Sequence, residues 1–257
     1  MVTAVFIPVR TQSTRLSQKT LLEIKGKPVI EHLIERVKSA KLPNLIVLCT
    51  TTNPEDEVLG EIADRNNISF FQGSEKDLLG RYMQAALSYK VDFIVNVDGD
   101  DVLCDPVYMD RIVEAYNETG ADYLTGEGLP FGATPNGIKV EALKKVYQLK
   151  EGIDTETGWK GFFSESGLFK VEILPADAEL NYPDIRMSLD YPEDFLFFQA
   201  IFEELYVPGM VFSLKEVLDL LRTHPEIVEL NKFRQEEYWE TYYRNAVKIQ
   251  LKEENKE

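Results

Sequence analysis

The sequence predicts an α/β fold, a mostly parallel sheet covered by helices. Two observations carry this. Up to Gly120, short apolar runs alternate at least three times with longer stretches of helical periodicity, the mark of right-handed strand–helix–strand units. The short runs are also apolar almost throughout, as strands covered on both faces are.

The elements follow in order. Val2 to Val9 reads as a buried parallel strand that stops at a polar loop carrying Arg10, Arg15 and Lys19. Pro28 to Ala40 reads as a helix, with Pro28 in its first turn and Val29, Ile30, Leu33, Ile34 and Val37 at helical spacing. Leu45 to Thr50 is the next strand. Asn53 is placed to cap a helix opened by Pro54, with Glu55, Asp56 and Glu57 on its positive end. Ile68 to Phe71 reads as a short strand, Asp77 to Tyr89 as a helix, Asp92 to Val97 as a buried strand and Pro106 to Thr119 as a helix.

After Gly120 the pattern weakens. Gly126, Gly128, Pro130, Gly132, Pro135 and Gly137 punctuate it, before a helix near Ala142 to Leu149. Leu168 to Leu174 and Ile185 to Leu189 read as strands, and Tyr191-Pro192-Glu193-Asp194 starts an apolar helix to Leu205. Helical patterns recur at Leu214 to Leu221 and Gln235 to Asn245, and Lys252 to Glu257 are expected to fray. The expected division is a main domain over 1–207, with an acceptor or dimerisation element at about 126–180, and a helical extension over 208–257.

Composition narrows the functions. In 257 residues, 28 Lys and Arg stand against 44 Asp and Glu, a net charge of −16. That field disfavours nucleic acid, and a polyanionic ligand needs local cations or a metal. No apolar run approaches a membrane span, no signal peptide is evident, and a soluble, cytoplasmic protein is expected. Cys49 and Cys104 lie in or beside apolar stretches and make neither a disulfide framework nor a zinc motif.

Three groups can carry chemistry. The first is the loop after the first strand, at the sheet's carboxyl edge where ligands bind. Arg10, Arg15 and Lys19 are natural phosphate partners. By composition alone a phosphate site and a solvated basic loop are equally open. The second is the turn of Asp98, Asp100 and Asp101 after a buried strand. Carboxylates so close repel unless a cation lies between them, and Mg²⁺ takes one or two carboxylates with waters and phosphates. The third is Asp190, which could complete a metal site or cap the next helix. His32 reads as a core residue and His224 as a turn residue. Trp159, Phe162 and Phe163 either line a pocket or pack.

Taken together these residues resemble the cytidylyltransferase family, with the SpsF-like spore-coat-polysaccharide branch nearest and the CMP-Kdo and CMP-sialate synthetases further away. The resemblance rests on Ile7-Pro8-Val9-Arg10, Ser13-Thr14-Arg15-Leu16 with Lys19, and Gly26-Lys27-Pro28. It continues through Thr50-Thr51-Thr52-Asn53-Pro54-Glu55-Asp56, Gly73-Ser74-Glu75 with Asp77 and Arg81, and Gly99-Asp100. Gly137 with Val140-Glu141, Leu189-Asp190-Tyr191-Pro192-Glu193-Asp194 and Pro225-Glu226-Ile227-Val228 complete it.

The resemblance implies a Rossmann-like fold of the nucleotide-diphospho-sugar transferase type with a small dimerisation element, a homodimer, and condensation of CTP with a small-molecule acceptor, releasing pyrophosphate. It implies that Arg10, Arg15 and Lys19 hold the triphosphate in catalysis, beside Pro8, Val9 and Asp98. Thr51, Thr52, Ser74, Asp77 and Arg81 would face the nucleoside, and Asp100 and Asp190 would hold Mg²⁺. Gly137, Glu141 and Trp159 are the candidate acceptor contacts. No general base is evident, and an acceptor already ionised would need none. Other readings are a sugar-1-phosphate nucleotidyltransferase using GTP, a glycosyltransferase using Asp98-Gly99-Asp100, and a nucleotide-binding protein without turnover.

The departures are specific. Arg15-Leu16-Ser17-Gln18-Lys19 stands where the family usually has Arg-Leu-Pro-Gly-Lys, and Asp101-Val102-Leu103 where it has x-Pro-Leu. Asp98 stands where a neutral polar residue is commoner. Gly158-Trp159-Lys160-Gly161-Phe162-Phe163 replaces the Arg-Glu-His-Val-Thr stretch of the branch.

Overall fold

The computed structural model describes residues 1–252. Strand β1 (Thr3–Pro8) lies at the centre of the parallel part, with Ala4 to Ile7 wholly buried. The loop after it carries a small antiparallel hairpin, β2 (Glu23–Ile24) and β3 (Lys27–Pro28), before helix α1 (Val29–Val37). Pro28 therefore closes a strand instead of sitting inside the helix, and α1 stops short of Ala40. Lys25 and Gly26 at the hairpin tip both have positive φ, as the tightest hairpin turns require.

Strand β4 (Leu45–Thr51) leads through a 3₁₀ turn at Pro54–Asp56 into α2 (Glu57–Arg65). Asn53 precedes that turn as expected, but its side chain caps nothing. Strand β5 (Ser69–Gly73), helix α3 (Leu78–Tyr89), strand β6 (Phe93–Asn96) and helix α4 (Pro106–Thr119) follow. Strands β5, β4, β1 and β6 are parallel neighbours in that order. Ile30, Leu33, Leu59, Ile62, Met109 and Ile112 from α1, α2 and α4 fill the core on one face of the sheet. Leu79, Tyr82 and Ala86 of α3 fill the other.

The second half continues the same sheet. Strands β7 (Tyr123–Glu127), β8 (Asn136–Lys139) and β9 (Val171–Pro175) extend it to seven strands in the order β5-β4-β1-β6-β8-β7-β9. Strand β8 runs antiparallel to β6 and β7, while β7 and β9 are parallel. Helix α5 (Val140–Leu149) and the short α6 (Gly161–Ser164) pack Leu143, Val146, Phe162 and Phe163 into the α3 side of the core. The stretch 126–180 is thus built into the sheet, not set apart as a separate element. Ile185 to Leu189 is not a strand. It is a buried extended segment with one isolated bridge, Phe131 to Arg186, and its apolar residues face helices instead of strand neighbours.

Helices α7 (Pro192–Leu205), α8 (Leu214–Thr223) and α9 (Pro225–Glu229) make a third core with Val102, Leu103, Met187 and Leu189. The C-terminal extension therefore shares its interior with the loops of the carboxyl edge. His32 is buried there, with a ring nitrogen 2.8 Å from the Ile24 carbonyl and its ring against Phe202. After α10 (Arg234–Asn245) the chain returns to the α3 side, where Val247, Ile249 and Leu251 pack on the core and Leu251 bridges Lys150. Lys252 is held through its N–H, 2.8 Å from the Leu149 carbonyl. The rest of the segment expected to fray, Glu253 to Glu257, lies outside the described residues. No helix among the described residues is long and apolar enough to cross a membrane.

Gly137 shows how tightly β8 is packed. A Cβ there would lie 2.6 Å from the Phe93 ring and 2.7 Å from Ile112. Gly137→Ala should destabilise the fold by about 1–3 kcal/mol through overpacking, read as a lower midpoint in urea with an unchanged slope.

Candidate active site

The carboxyl ends of β1, β4, β5 and β6 open on one edge of the sheet, and β8 begins there, with Asn136 opposite Asn96. The Gly99 N–H donates to the Pro8 carbonyl at 3.0 Å. A Cβ on Gly99 would lie 2.9 Å from that oxygen and 2.8 Å from the Val9 Cβ. Glycine is what lets the acidic turn touch the cationic loop. Val9, buried, and Pro8, half-buried, lead into the loop.

The loop is pinned at both ends. The Thr11 N–H and hydroxyl each donate to Asp56 at 2.7 Å, and the Thr51 hydroxyl donates to its other oxygen. Burial opposes the charge on Asp56, but these hydrogen bonds outweigh it and hold the carboxyl below its usual range. Thr51 therefore serves the frame of the loop, and exposed Thr52 is tied by its N–H to the Gly73 carbonyl. Near the other end, Gln18 has φ +49°, in the left-handed region. The turn keeps the backbone that glycine would supply at this position, at the cost a side chain pays there.

Between these points Arg15 and Lys19 converge on Asp190. Lys19 Nζ lies 2.6 Å from Asp100 and 3.0 Å from Asp190 Oδ1, and Arg15 donates to the same Asp190 oxygen. Asp190 Oδ2 takes Arg186 at 2.8 Å. Arg186 in turn pairs with both oxygens of Asp194, at 2.8 and 2.9 Å, and Asp194 accepts the N–H groups of Asp190 and Tyr191 at 2.8 and 2.9 Å. Arg186, Asp190 and Asp194 are all fully buried. Burial alone would push the Asp190 carboxyl up, but Lys19, Arg15 and Arg186 outweigh it and hold it well below the carboxylate range. The same partners, Asp100 and Asp190, overcome burial and raise the pKa of Lys19. Asp100 goes the other way. Burial, with Asp190 and Asp98 nearby, lifts its carboxyl despite Lys19.

Asp98 accepts from Asn96 at 3.0 Å and from Lys160 at 3.2 Å. Arg10 is exposed, and its charge reaches Glu156. Around β5, Asp77 caps α3 through the Gly80 N–H at 3.0 Å and binds Lys150 at 2.9 Å and Thr155 at 3.0 Å. Arg81 is buried, donating to the Ser74 carbonyl at 3.1 Å and to Glu156 at 2.7 Å, while its Nε has no partner. Asp77 and Arg81 thus hold the 150–156 loop against the edge.

The three acceptor candidates are not gathered here. Gly137 is sealed inside the sheet. Glu141 follows β8 past Lys139, which pairs with Phe93 at the amino end of β6, so it sits at the opposite edge. Trp159 is buried against Tyr82 and Phe163. Sequence reasoning missed Arg186, Lys160, Glu156 and Tyr238. Tyr238 stands on α10, its ring 4.9 Å from the Arg186 guanidinium and 5.6 Å from that of Arg15. The acids at the start of α7 were visible, but not that Asp194 would bind Arg186.

Among the described residues no three His, Cys, Asp or Glu side chains form a metal cage. Asp100, in the turn after β6, and Asp190, just before α7, nevertheless converge on one point, taken by the Lys19 ammonium. Two hard oxygen donors around one cation suit Mg²⁺, which draws its other ligands from water and phosphate.

The cytidylyltransferase family model matches residues 4–205. The chain is similar to the spore coat polysaccharide biosynthesis protein SpsF of Bacillus subtilis, with 24% identity over 226 residues, 86% of this chain and 94% of that one. Among solved structures it resembles a cytidylyltransferase from Leptospira borgpetersenii, with a TM-score of 0.80, 25% identity, and 89% and 97% of the two chains covered. It also shares the fold of CMP:2-keto-3-deoxy-manno-octonic acid synthetase complexed with CTP, with a TM-score of 0.60, 15% identity, and 80% and 100% covered.

Asp194→Ala should cost about 3–5 kcal/mol, because it strands a buried guanidinium, and chemical denaturation will show it. Gln18→Gly should raise stability by up to about 1 kcal/mol by relieving the left-handed residue, seen as a higher urea midpoint.

Proposed function

The chain belongs to the cytidylyltransferase family, and from that premise we propose that it transfers the cytidylyl group of CTP to a small sugar or sugar-acid acceptor, with Mg²⁺, releasing pyrophosphate. The observation that carries this reading is the convergence of Arg15 and Lys19 on Asp190, with Lys19 also on Asp100. In an edge rich in carboxylates, such paired cations are what a triphosphate needs.

The acceptor oxygen bonds to the α-phosphorus as the bridging α–β P–O bond breaks. Pyrophosphate leaves with that electron pair, and the acceptor proton passes to solvent. Arg15 offers a planar fork and Lys19 a point charge to the phosphate oxygens. Asp190, charged and anchored by Arg186, sets where Arg15 lies, so little reorganisation of that fork accompanies the charge that develops on the leaving group. Asp100 and Asp190 would hold Mg²⁺, which supplies charge neutralisation at the transferring and leaving phosphates. With Mg²⁺ on these carboxylates, the Lys19 ammonium would turn to the phosphate oxygens. The proposal includes a cytoplasmic setting, a place in polysaccharide biosynthesis like that named for SpsF, and a homodimer of twice the 29.4 kDa chain mass.

The test is pyrophosphate release with each of the four nucleoside triphosphates and a panel of sugars and sugar acids. Release that depends on CTP and a divalent cation is expected. Release with no preference for CTP overturns the reading. Asp100→Ala should abolish cation-dependent turnover, and near-wild-type activity would remove Asp100 from the site. Arg15→Ala should raise the KM for CTP about 10- to 100-fold, the worth of a charged hydrogen bond, with a smaller change in kcat.

A further inference from the structure

Arg15 has a fork to orient and few contacts to orient it. Among the described residues its one hydrogen-bond partner is Asp190. A guanidinium joined at a single point can turn about that contact, and a turning fork presents no fixed pair of donors to a phosphate. Two rings restrict the turning. The Arg15 guanidinium carbon lies 5.4 Å from the centre of the Tyr191 ring and 5.6 Å from that of Tyr238. Both are within the distance of about 6 Å over which a ring face attracts a cation. An aromatic ring meets the flat face of a guanidinium and leaves the N–H groups at its rim free. The Arg15 side chain stays partly exposed, so that rim is open to a ligand.

The two rings come from different parts of the chain. Tyr191 lies inside the family match, which ends at residue 205, whereas Tyr238 stands on α10, beyond it. Helix α10 is fastened to the cluster around Asp190 by contacts that this later segment supplies. Asn231, buried just before the helix, donates to Asp194 at 2.9 Å and to the Arg186 carbonyl at 3.2 Å. Arg234 forks onto Glu193 at 2.9 and 3.0 Å and stands 4.9 Å from the Tyr191 ring. Gln235 accepts from Arg186 at 3.4 Å. The Tyr238 ring lies 5.0 Å from that of Phe131 and 4.9 Å from the Arg186 guanidinium. After the helix, the Val247 N–H donates to the Thr157 carbonyl at 2.9 Å. With α10 tied at both ends, the Tyr238 ring is fixed in place beside Arg15.

We propose that Tyr238 is a positioning residue of the nucleotide site: its ring sets the plane of the Arg15 guanidinium, so that the C-terminal extension completes the binding of the triphosphate. Asp190 fixes where the fork lies, and Tyr238, with Tyr191, fixes which way it faces. Tyr238 acts through its ring and through Arg15, without touching the nucleotide. This rests on the cytidylyl-transfer reading.

The test uses the full chain and CTP with Mg²⁺, with the Kd read by calorimetry and the fold followed by the urea midpoint. Tyr238→Leu, and Tyr238→Gln as a more soluble second variant, should each raise the Kd about 5- to 30-fold, the range for a ring face on a partly desolvated cation. Tyr238→Phe keeps the ring and should stay within about 2-fold of the wild-type chain. In an Arg15→Ala background, Tyr238→Leu should add less than about 2-fold, because the group that it positions is gone. A ring that served only the fold would weaken binding equally in both backgrounds. A wild-type chain that binds no CTP overturns the cytidylyl-transfer reading, and this inference with it. If CTP binds, any of three results overturns this inference alone: a Kd that Tyr238→Leu and Tyr238→Gln leave unmoved, a loss in Tyr238→Phe as large as that in Tyr238→Leu, or the same loss with and without Arg15.

Discussion

The arrangement of the sheet's carboxyl edge depends on one buried carboxylate. Asp190 is 1% exposed, and an isolated charge at such depth would be untenable. It survives because Arg15, Lys19 and Arg186 reach it from two sides. The dependence runs both ways, because three cations cannot be held this close without an anion among them. Asp194 completes the balance by taking Arg186 with both oxygens and by accepting the N–H groups that lead into α7. The loop after β1, the turn after β6 and the start of α7 are joined at this point, though they are far apart in the chain.

Much of the fold was legible because its signals are local. The run Ala4 to Ile7 and the run Phe93 to Val95 are apolar on both faces, and they lie on neighbouring parallel strands. Ile185 to Leu189 alternates apolar and polar residues as a strand can, and is not one. Apolar residues buried against helices can alternate as they do in a strand, and only hydrogen-bond partners separate the two. The punctuated stretch after Gly120 suggested a separate element for a related reason. Glycines such as Gly137 looked like breaks, whereas they admit Phe93 and Ile112 against a strand.

The site was legible where chemistry alone marks a residue. Arg15, Lys19, Asp100 and Asp190 stand out as charges beside apolar runs, and the structure brings them together. Their partners were not legible. Nothing around Arg186 says that it will face Asp194 and Asp190, since its neighbours in sequence are apolar and its partners lie along the next turn of chain. Glu141 illustrates the opposite failure. Its place after a strand looked functional, but β8 runs antiparallel to β6 and delivers it to the wrong edge. Strand direction is a property of pairing, which a single sequence does not display.

The two ends of the described chain have unequal surroundings. Val2 is tied to Asp92 at the amino edge of the sheet, away from the cluster around Asp190. Leu251 and Lys252 are tied to Lys150 and Leu149, at the root of the loop that carries Thr155 and Glu156. The last described residues thus lie beside that loop, whereas Val2 lies at the opposite edge of the sheet. An affinity tag or a fused partner joined ahead of Val2 therefore starts at the edge of the sheet opposite the cluster around Asp190.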